Sequence, residues 1–189
     1  RFAAQCGGKL EPLYPCLTAL QTAKPNRSLA GIRAKAAAAL LDLDRHCTVA
    51  VENGEVQFTD YGLSGICIMQ LSGHLAPGRG PKRPAVELDL FPMLDETALT
   101  AKHWLFEGLT PCGWKQAQTT GGGLSLTEVT PSFQFKGCPG LYFVGETLDC
   151  AGSCGGFNLH WAFGSGIAAG RDAVRSLKRP APKPNKKKR

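Results

Sequence analysis

Glu146 and Asp149, set just behind Gly145, and the pair Gly155-Gly156 ahead of Asn158 and Leu159 are the residues whose types and spacing bear on chemistry. They lie within residues 139–170, PGLYFVGETLDCAGSCGGFNLHWAFGSGIAAG, where an apolar run, an acid-bearing glycine turn and a glycine-opened helix follow one another. That order is how a nucleotide-type cofactor is held at the end of a strand. Paired glycines let the backbone approach a ligand. A helix from about Asn158 would aim its free N–H groups and positive dipole end at whatever lies there. The expected guest is an anionic or electron-rich group.

A second glycine stretch, Gly121-Gly122-Gly123 behind Thr119-Thr120, reads as a turn that brings backbone close to something, with a flexible surface loop as the other reading. Nothing matches G-x-G-x-x-G and there is no P-loop, so the phosphate-binding half of a dinucleotide fold is missing. Asp60, His74 and His103 are acid–base candidates by type only, and surface or loop roles are expected for each. No residue stands out as acid, base or nucleophile, and catalytic residues are left unassigned.

Eight cysteines would suit a disulfide framework, but Cys6, Cys16, Cys47, Cys67, Cys112 and Cys138 are scattered singly. No C-x-x-C pair exists, so no metal site is expected, and reduced thiols in a cytoplasm are the economical account. Cys67, inside Ile66-Cys67-Ile68-Met69, serves as a small hydrophobe. Cys150 and Cys154 alone sit where redox chemistry would matter, against the plainer role of filling a tight loop.

The elements that must position these residues come from a chain of 189 residues, 43% hydrophobic, long enough for one well-cored domain or two small lobes. No run of about 18 apolar residues predicts a membrane span, and no charged-then-apolar leader opens the chain. It begins at Arg1, as expected of a segment of a longer protein. The net charge is +7, yet nine of the 22 basic residues and one of the 15 acids lie from Arg171 onward. Residues 1–170 are left with 13 basic against 14 acidic residues, a net of −1. The proline-broken tail RPAPKPNKKKR is read as a solvated disordered end, and a nucleic-acid partner is not expected.

Along the chain, 9–90 reads as strand-rich. Asn53-Gly54, flanked by Thr48–Val51 and Glu55–Thr59, predicts a hairpin turn. Gly62-Leu63-Ser64-Gly65 opens an apolar helix through Leu71 that Gly73 can end. Ala34–Leu41 is ambiguous, and we favour a strand. Pro84–Leu90 alternates as a strand, and Asp95 can cap a short helix through about Phe106. Leu141–Val144 predicts a strand buried on both faces. In the closing helix Trp161, Phe163 and Ile167 read as core, and Gly166 and Gly170 would let it lie close to a sheet or partner helix.

TTGGG, VTPSF and GLYFVGETLDCAGSCGGFNLHWAFGSGIAAG together resemble the C-terminal end of the BaiN/YhiN-like NAD(P)/FAD-dependent oxidoreductases, and FTDYGLSGICIMQLSGHL resembles an earlier run of the same family. The resemblance covers most of residues 9–172. It implies an α+β fold: a β-barrel-like inserted lobe over 1–115, then 116–175 as the returning half of a Rossmann-like FAD-binding domain, with 176–189 a basic tail. It also implies FAD as cofactor, NAD(P)H as electron donor, a small-molecule substrate and, as partner, the N-terminal FAD-binding half that this sequence lacks. Carried over by position, the cofactor-binding residues are Gly121, Gly122, Gly145, Glu146, Asp149, Gly155, Gly156, Asn158 and Leu159. Either carboxylate would accept a hydrogen bond from a ribityl or sugar hydroxyl, or cap a helix entry. His160 replaces the family's Gln, Thr120 and Gly123 replace its Ala and Val, and only about 25 residues separate Phe91 from Ala117, where relatives carry a helical subdomain. The alternative is a non-catalytic binding module with a vestigial flavin segment, contacting a partner through the β lobe or tail.

Overall fold

A computed structural model describes residues 2–91 and 102–178. Alternation of apolar with polar or small residues makes the two longest strands, β3 (Arg33–Asp42) and β4 (Cys47–Phe58), which pair antiparallel over their whole length. Ala36, Ala38 and Leu40 on β3 and Val56 and Phe58 on β4 turn to one face and are buried. The alanine run is therefore strand: its period-two burial outweighs the helical preference of alanine. The reversal lies at 43–46, where a carboxylate oxygen of Asp42 accepts the N–H groups of Asp44 (3.0 Å) and Arg45 (3.2 Å), with His46 at φ 50°. This corrects the predicted hairpin. Asn53 and Gly54 are mid-strand, opposite Ala37 and Ala36, because the Asp42 turn permits the longer pairing.

These strands centre a seven-stranded antiparallel sheet with β1 (Leu10–Cys16) and β9 (Thr119–Leu124) outside it. Its order is β7 (Trp104–Glu107), β6 (Pro84–Asp89), β3, β4, β5 (Gly62–Ser64), β2 (Leu20–Gln21), β8 (Thr110–Pro111). No sheet closes on itself among the described residues, so the expected β-barrel-like lobe is not shown. Yet the edge strands β7 and β8 are joined by Gly108-Leu109 alone, and Ala23 beyond β2 donates its N–H to the Glu107 carbonyl (2.9 Å). The sheet must curl to bring its two edges together. Inside the curl pack Leu20, Leu40, Val56, Leu63, Val86, Leu88 and Phe106, with Cys67, Ile68 and Leu71 of helix α2 (Ile66–Ser72). Gly65 starts α2 at φ 101°, where a Cβ would strike the Glu55 carbonyl, and Gly73 caps it. Asp95 lies outside the described residues, but Trp104–Phe106 belongs to β7: the predicted helix does not reach Phe106 because Phe106 and Trp104 stack on Phe58.

β1 pairs antiparallel with β9 in a second, two-stranded sheet. The three glycines are thus strand, correcting the predicted turn. They are glycines because the neighbouring chain lies against them: a Cβ on Gly121 would overlap the Tyr14 ring, and one on Gly122 the Pro12 carbonyl. Leu141–Val144 is only half-buried and pairs through single bridges and bonds with Phe133–Phe135. It is not the doubly buried strand predicted, since no ladder flanks it among the described residues. Beyond it, Leu148 forms a parallel bridge to Leu124, and a small core gathers Leu124, Val129, Phe135 and Leu148.

Helix α3 (Phe157–Lys178) closes the described chain. Trp161 is half-buried edge-on to Phe133, as a core residue should be, but Phe163 (69% exposed) and Ile167 (55%) face solvent. At about 100° per residue they stand on the side opposite Trp161, Ser165 and Ala169, the side on which Trp161 meets Phe133 and Ser165 meets Gly145, so the core expected of them is not there. Gly166 and Gly170 also meet nothing within 4 Å. No helix among the described residues is long and apolar enough to cross a membrane.

Candidate functional site

The site starts from how α3 grips the end of the 141–144 segment. Trp161 donates its indole N–H to the Gly145 carbonyl (3.0 Å), and the Ser165 hydroxyl accepts the Gly145 N–H (2.9 Å). A Cβ at Gly145 would come within 3.3 Å of Ala162, and the residue holds φ 59°. Both backbone groups of Gly145 are therefore spent on the helix.

The two carboxylates that follow bind β9 at two levels. Glu146 accepts the Thr119 hydroxyl (2.7 Å) and the Thr120 N–H. Asp149 accepts the Gly122 N–H (3.1 Å) and a forked pair of bonds from Arg79 (2.7 and 3.2 Å). Burial alone would raise the Glu146 carboxyl, but the donors on Thr120 and Thr119 outweigh it and hold the group below the usual carboxylate range. Glu146 is therefore ionised and is no proton donor near neutrality.

Gly155 (φ 104°) and Gly156 (φ 91°) then turn the chain into α3, and protein atoms approach their absent Cβ positions no closer than 3.8 Å. This glycine pair, unlike Gly121 and Gly122, is not crowded: only the Phe157 and His160 side chains reach ordinary contact distance. Asn158 supports the turn by accepting the Gly152 N–H (2.7 Å) and donating to its carbonyl (3.1 Å). Asn158 and Leu159 of the first turn of α3 line the same opening, and helix geometry leaves the first N–H groups of a helix without internal acceptors; that of His160 is taken by the Gly156 carbonyl (3.0 Å). A cavity of about 380 Å³ collects Glu146, Gly155, Gly156, Asn158 and Leu159, together with Thr119, Cys154 and Trp161. Of the nine predicted residues, those five share this cavity. Asp149 lines a second one, and Gly121, Gly122 and Gly145 lie in neither lining.

The second cavity, about 550 Å³, is shared between the end of β1, α2 with the loop after it, and residues 149–153. Tyr14, Glu52, Gln70, His74, Arg79 and Asp149 line it, and it abuts the first across Leu17, Cys150 and Ser153. Burial, helped by the neighbouring Cys16, pushes the Tyr14 hydroxyl up; Arg79 works against that and Asp149 with it. Burial likewise raises the Cys16, Cys150 and Cys154 thiols, so none is an activated thiolate. Sequence reasoning passed over Tyr14 and Arg79. Arg79 meets Asp149 across 70 positions, and only its place in a Pro-Gly-rich loop, which needs an anchor, hinted at it. His74 is exposed on the rim of this cavity, His103 pairs with Glu87 (3.3 Å) at the surface, and Asp60 is exposed. Among the described residues no group of three His, Cys, Asp or Glu is placed to hold a metal.

A 3-dehydro-bile acid delta(4,6)-reductase of Clostridium scindens is 31% identical over an alignment covering 92% of this chain and 56% of that protein. A ribosomal RNA dihydrouridine synthase of Escherichia coli is 27% identical over 67% of the chain and 45% of that protein; the Haemophilus influenzae protein of the same name is 36% identical over 35% and 17%. The chain thus spans about half the length of the curated relatives it matches. Residues 1–172 match the HI0933-like protein Rossmann domain, and with that match and the reductase similarity the chain belongs to the HI0933-like, BaiN/YhiN family of oxidoreductases.

Proposed function

We propose that this chain is the substrate-side and flavin-closing portion of an FAD-dependent oxidoreductase that takes electrons from NAD(P)H. The observation that carries the reading is the open cradle at Gly155-Gly156. Glycines that the protein itself does not crowd, placed before a 22-residue helix, fit a flat electron-rich ring against free N–H groups. Gly155, Gly156 and the first turn of α3 would hold the ring, and Glu146 stands on the same wall with an oxygen edge for a hydroxyl. The flavin supplies hydride transfer when bound. The chain's own residues orient it, and the positive helix end favours charge gained on reduction.

The relatives' names support a reductase over the non-catalytic alternative. A delta(4,6)-reduction of a 3-dehydro bile acid and the making of dihydrouridine both saturate a ring double bond near a carbonyl, so we extend that class of substrate to this site. The partner in this reading is a dinucleotide-binding half seated on the exposed apolar side of α3.

Titrating FAD into the purified chain and following flavin absorbance and fluorescence tests the proposal. Uptake with a perturbed flavin band is expected, and Gly156→Val, which fills the cradle, should reduce it at least tenfold. Colourless protein at excess FAD, or uptake indifferent to Gly156→Val, overturns the reading for this chain.

A further inference from the structure

We propose that the 550 Å³ cavity is the substrate pocket and that Tyr14 is its carbonyl-binding and proton-donating residue, the substrate being a ring with a carbon–carbon double bond conjugated to a carbonyl. The proposal rests on the oxidoreductase reading above and assigns a group that reading leaves open.

Saturating such a bond needs hydride on one carbon and a proton on the next. A pocket for it must lie beside the electron carrier and hold one protonated acid. The cavity shares Leu17, Cys150 and Ser153 with the glycine-lined one, so a ring here has only that wall between it and the cradle. Its volume falls within the range of small-molecule sites.

Tyr14 is 9% exposed and lines the pocket. Its ring is fixed from behind, since Gly121 has no Cβ to displace it. Its hydroxyl reaches only the Gly73 carbonyl, at 3.3 Å, a long bond that a ligand oxygen can replace. Burial keeps it protonated. His74, the other acid by type, is exposed on the rim, and its ring has no hydrogen-bond partner among the described residues.

The flavin, when bound and reduced, would supply the hydride, two electrons and one proton, to the carbon β to the carbonyl, where it consumes the C=C π bond. The Tyr14 O–H bond breaks as its proton passes to the enolate oxygen it was bound to; the enol then ketonises, a proton from water forming the new C–H bond at the α carbon while the enol O–H proton is released to solvent. The phenolate left behind is stabilised by Arg79, itself anchored on Asp149, and regains a proton from water.

Binding of 3-oxo-4-cholenoic acid, and of cyclohex-2-enone as a minimal probe, to the full chain gives a readout free of turnover. A hydrogen bond from Tyr14 should red-shift the ultraviolet band of the bound enone. Tyr14→Phe keeps the ring against Gly121; it should abolish the shift and weaken binding about tenfold. Ser153→Trp, at an exposed position on the pocket wall, should block binding, with circular dichroism confirming both variants folded. In FAD-loaded protein, Tyr14→Phe should slow enone reduction at least 100-fold and leave NAD(P)H-driven flavin reduction unchanged. Failure of both probes to bind, or a red shift that survives in Tyr14→Phe, overturns the proposal. Failure of FAD uptake alone strikes the oxidoreductase reading and leaves the binding result standing.

Discussion

At the scale of single residues, the decisive feature is how two glycine groups of similar appearance are used. Gly121 is crowded by the Tyr14 ring, whereas Gly155 and Gly156 meet other side chains only at ordinary contact distance. Gly121→Ala should therefore cost about 2–3 kcal/mol or more, because the ring must leave its seat, and urea unfolding measures this. A loss within experimental scatter would show that Tyr14 is not seated there. Glu146 allows a test by pH. Its carboxyl is held below the ordinary value in the fold, so its contribution is complete above about pH 4.3, the unperturbed glutamate value, and disappears as pH falls through the lower folded value. Wild type should lose stability below that pH more steeply than Glu146→Gln, and parallel acid-unfolding curves would refute the Thr119 and Thr120 bonds. Both glycine groups were legible as close-approach positions. What approached them was not, because Tyr14 and Pro12 are more than 100 positions from Gly121 and Gly122, and no local pattern records that pairing.

At the scale of elements, local chemistry predicted an element well where its own residues bury it. Alternation along Pro84–Asp89 and the glycine-bounded apolar run of α2 gave both elements nearly to their ends. It failed where tertiary contacts choose. The Asn53-Gly54 signal is locally strong, yet ten β3–β4 pairs and the Asp42 turn outweigh it. Trp104–Glu107 is strand because its rings meet Phe58, which lies far off in sequence. The grip of α3 on the 141–144 segment has the same character, since Ser165 and Trp161 meet Gly145 only once the helix docks. Ser165→Ala should leave the buried Gly145 N–H unpaired and cost about 1–3 kcal/mol. If the grip also positions the cradle, FAD affinity should fall with it. Leu88→Ala, fully buried within the curled sheet, should cost about 2–5 kcal/mol and leave that affinity alone. The two variants together separate stability from site geometry.

At the scale of the whole molecule, α3 is amphipathic with its more apolar side outward. Leu159, Phe163, Ile167, Val174 and Leu177 are all at least half exposed, and at about 100° per residue they fall in one stripe roughly 80° wide. Gly166 and Gly170 lie in or beside the stripe with open space above them, so a partner's backbone can come close. A stripe of large apolar residues is costly to leave in water and marks an interface. The dinucleotide-binding half proposed above is its fitting cover, because the chain spans about half of its relatives and the stripe begins at Leu159, on the glycine-lined cavity proposed for the flavin. Uncovered, the stripe should make the isolated chain self-associate, with a weight-average mass that rises with concentration in sedimentation equilibrium. Phe163→Glu with Ile167→Lys should hold the chain monomeric at the same concentrations and leave its circular dichroism unchanged, since neither side chain supports the core. If the wild-type chain stays monomeric throughout, the stripe is not an interface, and the seat proposed for the missing half must lie elsewhere.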